Sequence, residues 1–176
     1  MARVPLLDEK AGADVAAVVA KIRGGRGGRL LNVYRALLNS PGLASAWFDF
    51  NNAVRFGTGV SERLRELVIL RVAVLNRAEY VFRIHQARYA EPAGVRPAEV
   101  EALRDWRKSG LFPPQDAALL AYVDAMTREV EVPDAVFKSL RAHFGERAAV
   151  ELTVLAAAYN MHTRVLKALD IEPENA

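Results

Sequence analysis

Ser61-Glu-Arg-Leu-Arg-Glu-Leu-Val-Ile-Leu-Arg-Val-Ala-Val-Leu-Asn-Arg-Ala-Glu-Tyr-Val-Phe-Arg-Ile-His85 is the stretch on which the fold turns. Ser61 is a good helix N-cap, and Glu62 suits the positive end of the helix dipole that follows it. The second half of that helix, Leu67 to Leu75, is apolar nearly all round, as expected of a helix at the centre of a bundle. Arg71 is the one charge in it and therefore needs a buried anionic partner. Asn76-Arg77 makes a brief turn, and a second helix follows from about Ala78 to Glu91, with Gly94 as terminator.

The same helix–connection–helix pattern extends in both directions. Upstream, Leu30–Asn39 reads as a helix ended by Ser40-Pro41, and Pro41 opens another that runs to about Phe56. Downstream, helices are expected from Arg96-Pro97 to about Trp106, over Gln115–Glu129, from Pro133 to near Gly145, and over about Glu146–Leu169. Residues 1–28 form an arm with a short helix over Ala11–Ile22. Arg23-Gly-Gly-Arg-Gly-Gly-Arg29 is a turn or flexible loop, poised over a pocket. The organisation is thus an N-terminal arm (1–28), one all-α domain (29–171) of about seven to eight helices, and a solvated tail (172–176).

Composition narrows the function. Apolar residues make up 52% and charged residues 26%, the balance of a soluble globule and not of a disordered chain. With 24 basic against 21 acidic residues and no block of one sign, neither nucleic acid nor a membrane surface is an expected partner. RGGRGGR is too short and isolated to change that. No apolar run reaches the ~18 residues of a membrane span. The N-terminus does not read as a signal peptide, so a cytoplasmic protein is expected. The absence of cysteine excludes disulfides, thiolate metal sites and thiol nucleophiles. Three separated histidines without a ligand repeat give no reason to expect a metal, and no cofactor is expected either.

The chemistry-bearing residues lie around the turn. Positions 78, 81 and 85 are spaced i, i+3, i+7 and line one helix face; Glu66 precedes the apolar half of the neighbouring helix, where a tight connection brings it beside that face. This Glu66-to-His85 pattern resembles the signature of the carboxymuconolactone decarboxylase and alkylhydroperoxidase-D-like superfamily: a glutamate, eleven residues, Cys-x-x-Cys, three residues and a histidine. The cysteine slots fall on Ala78 and Val81, the histidine on His85. Leu30 to Leu43 resembles the segment that precedes the signature in many members, and Tyr159-Asn-Met161 and Ala168 to Pro173 resemble the C-terminal helix of the peroxidase-related subgroup.

The resemblance implies a helical bundle that assembles as a homo-oligomer, a trimer or hexamer. It also implies that Glu66 and His85 are the catalytic pair. With both thiols gone, Cys-x-x-Cys peroxidase chemistry is excluded, and the branch that remains is cofactor-free decarboxylase or lyase chemistry on a small carboxylic acid or lactone. His85 would then move the proton and Glu66 orient it. Arg71 or Arg88 would receive a substrate carboxylate, with Tyr80 and Glu79 nearby as further binding candidates. Two plainer readings stand beside this one. Glu66 and His85 serve equally well as a buried clip between helices, and Glu79 with Arg83 as a solvated i, i+4 pair. A non-catalytic binding or assembly protein on a decayed redox scaffold is the alternative function. His162 reaches the site only if the last helix packs beside it.

Overall fold

The computed structural model describes residues 1–174, and these are all-α, with no strand among them. The order of helices is α1 (Ala13–Gly24), α2 (Asn32–Leu37), α3 (Pro41–Phe56), α4 (Glu62–Leu75), α5 (Glu79–His85), α6 (Pro97–Ala102), α7 (Trp106–Ser109), α8 (Pro114–Arg128) and α9 (Asp134–Ala168). Two compact units emerge, Met1–Phe56 with the chain from Val165 onward, and Gly57–Arg164. No helix among the described residues is long and apolar enough to cross a membrane.

In the first unit, α1 packs on α3 through Val15, Val19 and Ile22, all buried. The segment before α1 is docked by backbone: the Leu7 N–H donates to the Arg35 carbonyl at 3.0 Å, and Arg35 donates back to the carbonyls of Leu6 and Leu7. Of the turn or flexible loop expected over Arg23–Arg29, the structure shows a turn, with Arg23 and Gly24 ending α1. Arg23 makes two 3.1 Å bonds to Glu9, and Arg26 lies over the rings of Tyr34 and Phe48. Only Gly27 and Gly28 use left-handed backbone there, at φ 59° and 80°. The tail is likewise tied down as far as it is described: Glu174 accepts the Asn32 N–H, an orphan donor at the start of α2. Positions 175–176 lie outside the described residues.

The second unit is built round α4. Ser61 caps it, accepting from the Leu64 N–H, and residues 65–73 are all buried. α8 and α5 pack against it. The turn into α5 closes as a Schellman motif: Arg77 is left-handed (φ 52°), the Arg77 N–H reaches the Val74 carbonyl, and the Ala78 N–H reaches the Ala73 carbonyl at 2.8 Å. Glycine is the usual residue at that position, so an arginine there conceals how sharp the turn is. Two expected helices are interrupted. The one beginning near Ala78 is α-helical only to His85 and then widens into a π turn over Gln86–Ala90, and the one after Arg96 tightens to 3₁₀ at Leu103–Asp105. α9 breaks at Gly145 (φ 75°, ψ 176°), where a helix end was expected.

Candidate functional site

The site grows from the Schellman turn, which reverses the chain so that α5 runs back along α4. Glu66, one turn into α4, then faces His85 at the end of α5. Glu66 Oε2 and His85 Nδ1 are 2.6 Å apart, with the two residues 1% and 6% exposed. The contact is a short, buried hydrogen bond; with Glu66 as a carboxylate, which only accepts, Nδ1 is the donor and Nε2 is the ring's second nitrogen. The other carboxylate oxygen of Glu66 lies 3.8 Å from Arg65 Nε, and Arg65 also reaches Glu62 at 3.3 Å.

Aromatic residues flank the imidazole. Tyr159 of α9 meets it edge-on, with ring centroids 5.6 Å apart and planes at 87°. Tyr89, on the π turn, lies at 5.1 Å and 46°. His162 stands beside Tyr159 at 5.7 Å, one turn further along the same helix. α9 is held in this position by the end of α4. The Asn76 amide donates to Asn160 Oδ1 (3.0 Å) and Thr163 Oγ1 (2.8 Å), and Asn160 donates in turn to Thr127.

The other expected site residues differ in burial and partners. Val81 and Tyr80 are buried on α5, at 2% and 8% exposure, and Ala78 is buried at 4% at its N-cap, just outside the helix that was expected to include it, so both former thiol slots lie inside the unit. Glu79 and Arg83 are an exposed i, i+4 pair at 3.5 Å, as the plainer reading had it. Arg88 is exposed on the π turn. Arg71 has the buried anion that its position demanded: Nε donates to Asp124 Oδ1 and Nη1 to the Leu103 carbonyl. Asp124 also accepts from Trp106 and Arg107. Burial pushes the Asp124 carboxyl up, but its bonds to Arg71, Arg107 and Trp106 outweigh that and hold it below the ordinary carboxylate value. Tyr89 and Asp124 were not singled out from the sequence. A tyrosine four residues beyond His85 shares its face on the expected helix, so that spacing was the available signal; Asp124 resembles any polar residue of α8 until its burial is known.

The carboxymuconolactone decarboxylase family model matches residues 41–125, a span that contains Glu66, both slots and His85. YnjA of Escherichia coli K12 is 34% identical over 109 residues, covering 61% of this chain and 59% of that protein, so the chain matches little more than half the length of this relative. The alkylhydroperoxidase AhpD core structure, a peroxidase-related protein from Ralstonia eutropha JMP134, superposes with a TM-score of 0.80 at 21% identity, covering 99% of this chain and 93% of that one. The debrominase Bmp8, in a cysteine-to-alanine variant bound to 2,3,4-tribromopyrrole, superposes with a TM-score of 0.79 at 19% identity, covering 97% and 91%. At those identities the two structures share the fold with this chain.

Proposed function

We propose that this chain, which has the AhpD-like fold, is a cysteine-free member of the carboxymuconolactone decarboxylase family and performs cofactor-independent acid–base chemistry of the decarboxylase or lyase type on a small carboxylic acid or lactone. The observation that carries this reading is the buried 2.6 Å contact between Glu66 and His85 in a site without sulfur. Fold alone does not choose the reaction, since a debrominase shares it.

The chemistry fits the pair. A carboxylate placed beside a conjugated carbonyl leaves as CO₂, and its bonding electrons pass into an enolate. Protonated His85 gives its Nε2 proton to the enolate carbon, and Glu66 steadies the ring through Nδ1 in both protonation states. Water then returns a proton to Nε2. Because Arg71 is committed to Asp124, the substrate carboxylate falls to Arg88 on the exposed turn, with Tyr80 as a further binding group. The working form is a homo-oligomer in this reading.

The test is turnover of a panel of carboxylactones and β-keto acids, followed by CO₂ release. His85→Ala should lose about 10²–10⁴-fold, and Glu66→Gln should lose less. Turnover unchanged in both variants, or none by the unmodified protein on any substrate, removes the proposal. The buried, apolar Ala78 and Val81 favour the second reading, a binding or assembly protein without turnover, which predicts saturable ligand binding that survives Glu66→Gln.

A further inference from the structure

The geometry points to the outward face of α3 as the surface on which two copies of this chain pair, antiparallel, about a two-fold axis beside Phe50. The inner side of α3 is buried through Ala44, Trp47, Phe48 and Val54. A helix with one side in solvent ordinarily turns charged and polar residues outward. This one does not. Gly42, Leu43, Ala46, Phe50, Ala53 and Phe56 are all exposed, with Leu43 at 54%, Phe50 at 41% and Phe56 at 60%. At ~100° per residue the six share one arc of ~140°, and a helix that is apolar on every side is a helix covered on every side. Asp49 is the one charged residue on that arc, and Lys21 of α1 donates to it at 2.5 Å.

The order of sizes along the arc selects a second copy as the occupant. When a second α3 runs antiparallel across the first, Ala46 of each copy lies opposite Ala53 of the other, where small side chains let two helices approach closely. Phe50 of one copy then meets Phe50 of the other, and Phe56 at each end covers Gly42. The face is complementary to itself, as a two-fold contact requires. The two Asp49 carboxylates come near the same axis, and Lys21 offsets that like charge within each copy. Arg26 and Arg55 lie against the Phe56 ring, at 5.9 and 4.9 Å. Antiparallel pairing keeps those cations at opposite ends, separated by about the ~24 Å length of the helix. The covered area is on the order of 400 Å² per copy, about half that of a standard interface, so pairing should depend on concentration over tens of micromolar. The inference supplies a surface for the homo-oligomer of the acid–base reading, and it holds whatever reaction the chain performs.

Sedimentation velocity from about 5 to 500 µM tests it. The unmodified protein should gain mass across that range. Phe50→Glu and Ala46→Lys should each halve the mass reached at the top of it, with an unchanged helical circular dichroism spectrum. Ala46 is exposed and lysine is a good helix former, so Ala46→Lys carries the reading should Phe50→Glu fail to fold. The chain has no cysteine, so a single introduced thiol reports on its own counterpart in the other copy. Phe50→Cys should give an intermolecular disulfide under mild oxidation. Leu43→Cys should not, because antiparallel pairing holds it ~20 Å from its counterpart, beyond the reach of an S–S bond. A monomer across the whole range, an assembly whose mass neither Phe50→Glu nor Ala46→Lys alters, or equal cross-linking through Leu43→Cys overturns the proposal. A blank turnover panel leaves it standing, and a monomer leaves the chemistry of Glu66 and His85 open, so the two fail separately.

Discussion

Arg71 Nε and Asp124 Oδ1 are joined at 2.5 Å between α4 and α8, with the two side chains 3% and 6% exposed. Removing one member of such a pair strands the other charge in the interior at a cost of about 3–5 kcal/mol, whereas removing both is far cheaper. Asp124→Ala should therefore destabilise the protein by roughly that amount, and Arg71→Leu combined with Asp124→Leu should recover much of the loss. Urea denaturation of the single and double variants measures it. A double variant no more stable than Asp124→Ala would assign Arg71 some role other than satisfying this carboxylate.

A second buried carboxylate governs the response to acid. Glu99 receives 2.8 and 3.2 Å bonds from Arg63 and a 2.9 Å bond from the Arg96 N–H. Burial pushes its carboxyl up, but the arginine hydrogen bonds outweigh this and hold it down at about 2, against an ordinary value of 4.5. A carboxyl held lower in the folded than in the unfolded chain stabilises the fold above the unfolded value. That contribution falls away as pH drops from about 4.5 toward about 2. Asp124 acts in the same direction from its own ordinary value of 3.8 downward. Urea midpoints should thus decline steadily below about pH 4.5, and Glu99→Gln should be less stable at neutral pH with a shallower decline. A decline as steep in Glu99→Gln as in the unmodified protein would place the acid sensitivity elsewhere.

The sequence and the structure agree most closely where local chemistry decides. The Ser61 cap, the all-round apolar Leu67–Leu75, the stop at Gly145 and the Glu66–His85 spacing all act within a few turns of helix, and each is seen in the structure. What stayed hidden depends on the partner side. A left-handed arginine at 77 and a π turn after His85 contradict local preference, so no periodicity announces them. The need of Arg71 for an anion was readable, but Asp124 as that anion was not, because α4–α8 packing alone distinguishes it from neighbouring acids.

Gly25 is sensitive for a steric reason and not a conformational one. Its φ of −89° suits any residue, but a Cβ there would come within 2.5 Å of Phe48 Cζ. Phe48 cannot easily yield, since Tyr34 meets it edge-on at 5.8 Å and Arg26 lies over its face at 5.3 Å. Gly25→Ala should cost about 1–3 kcal/mol through overpacking, and adding Phe48→Leu should make the alanine nearly neutral against that background. Thermal melts of the four proteins close the cycle. An alanine that costs as much in the Phe48→Leu background as in the unmodified one would mean the clash is not with this ring.

The thiol slots permit the most direct check on the chemistry that the absence of sulfur removes. In Cys-x-x-Cys chemistry the peroxide-attacking group is a thiolate, and a chain without cysteine has none to offer. Peroxide consumption with a dithiol reductant should be no faster with the protein than without it. Ala78 and Val81 are buried and lie between Glu66 and His85 in sequence, so A78C/V81C places two sulfurs at the spacing of the Cys-x-x-Cys signature that this stretch resembles. Both substitutions change side-chain volume only modestly, and the double variant should fold at a cost of about 1–2 kcal/mol. It should gain dithiol-dependent peroxide consumption, and His85→Ala in that background should remove most of the gain. Activity in the unmodified chain would overturn the cysteine argument, while a folded, inert double variant would show that the site has lost more than its sulfur.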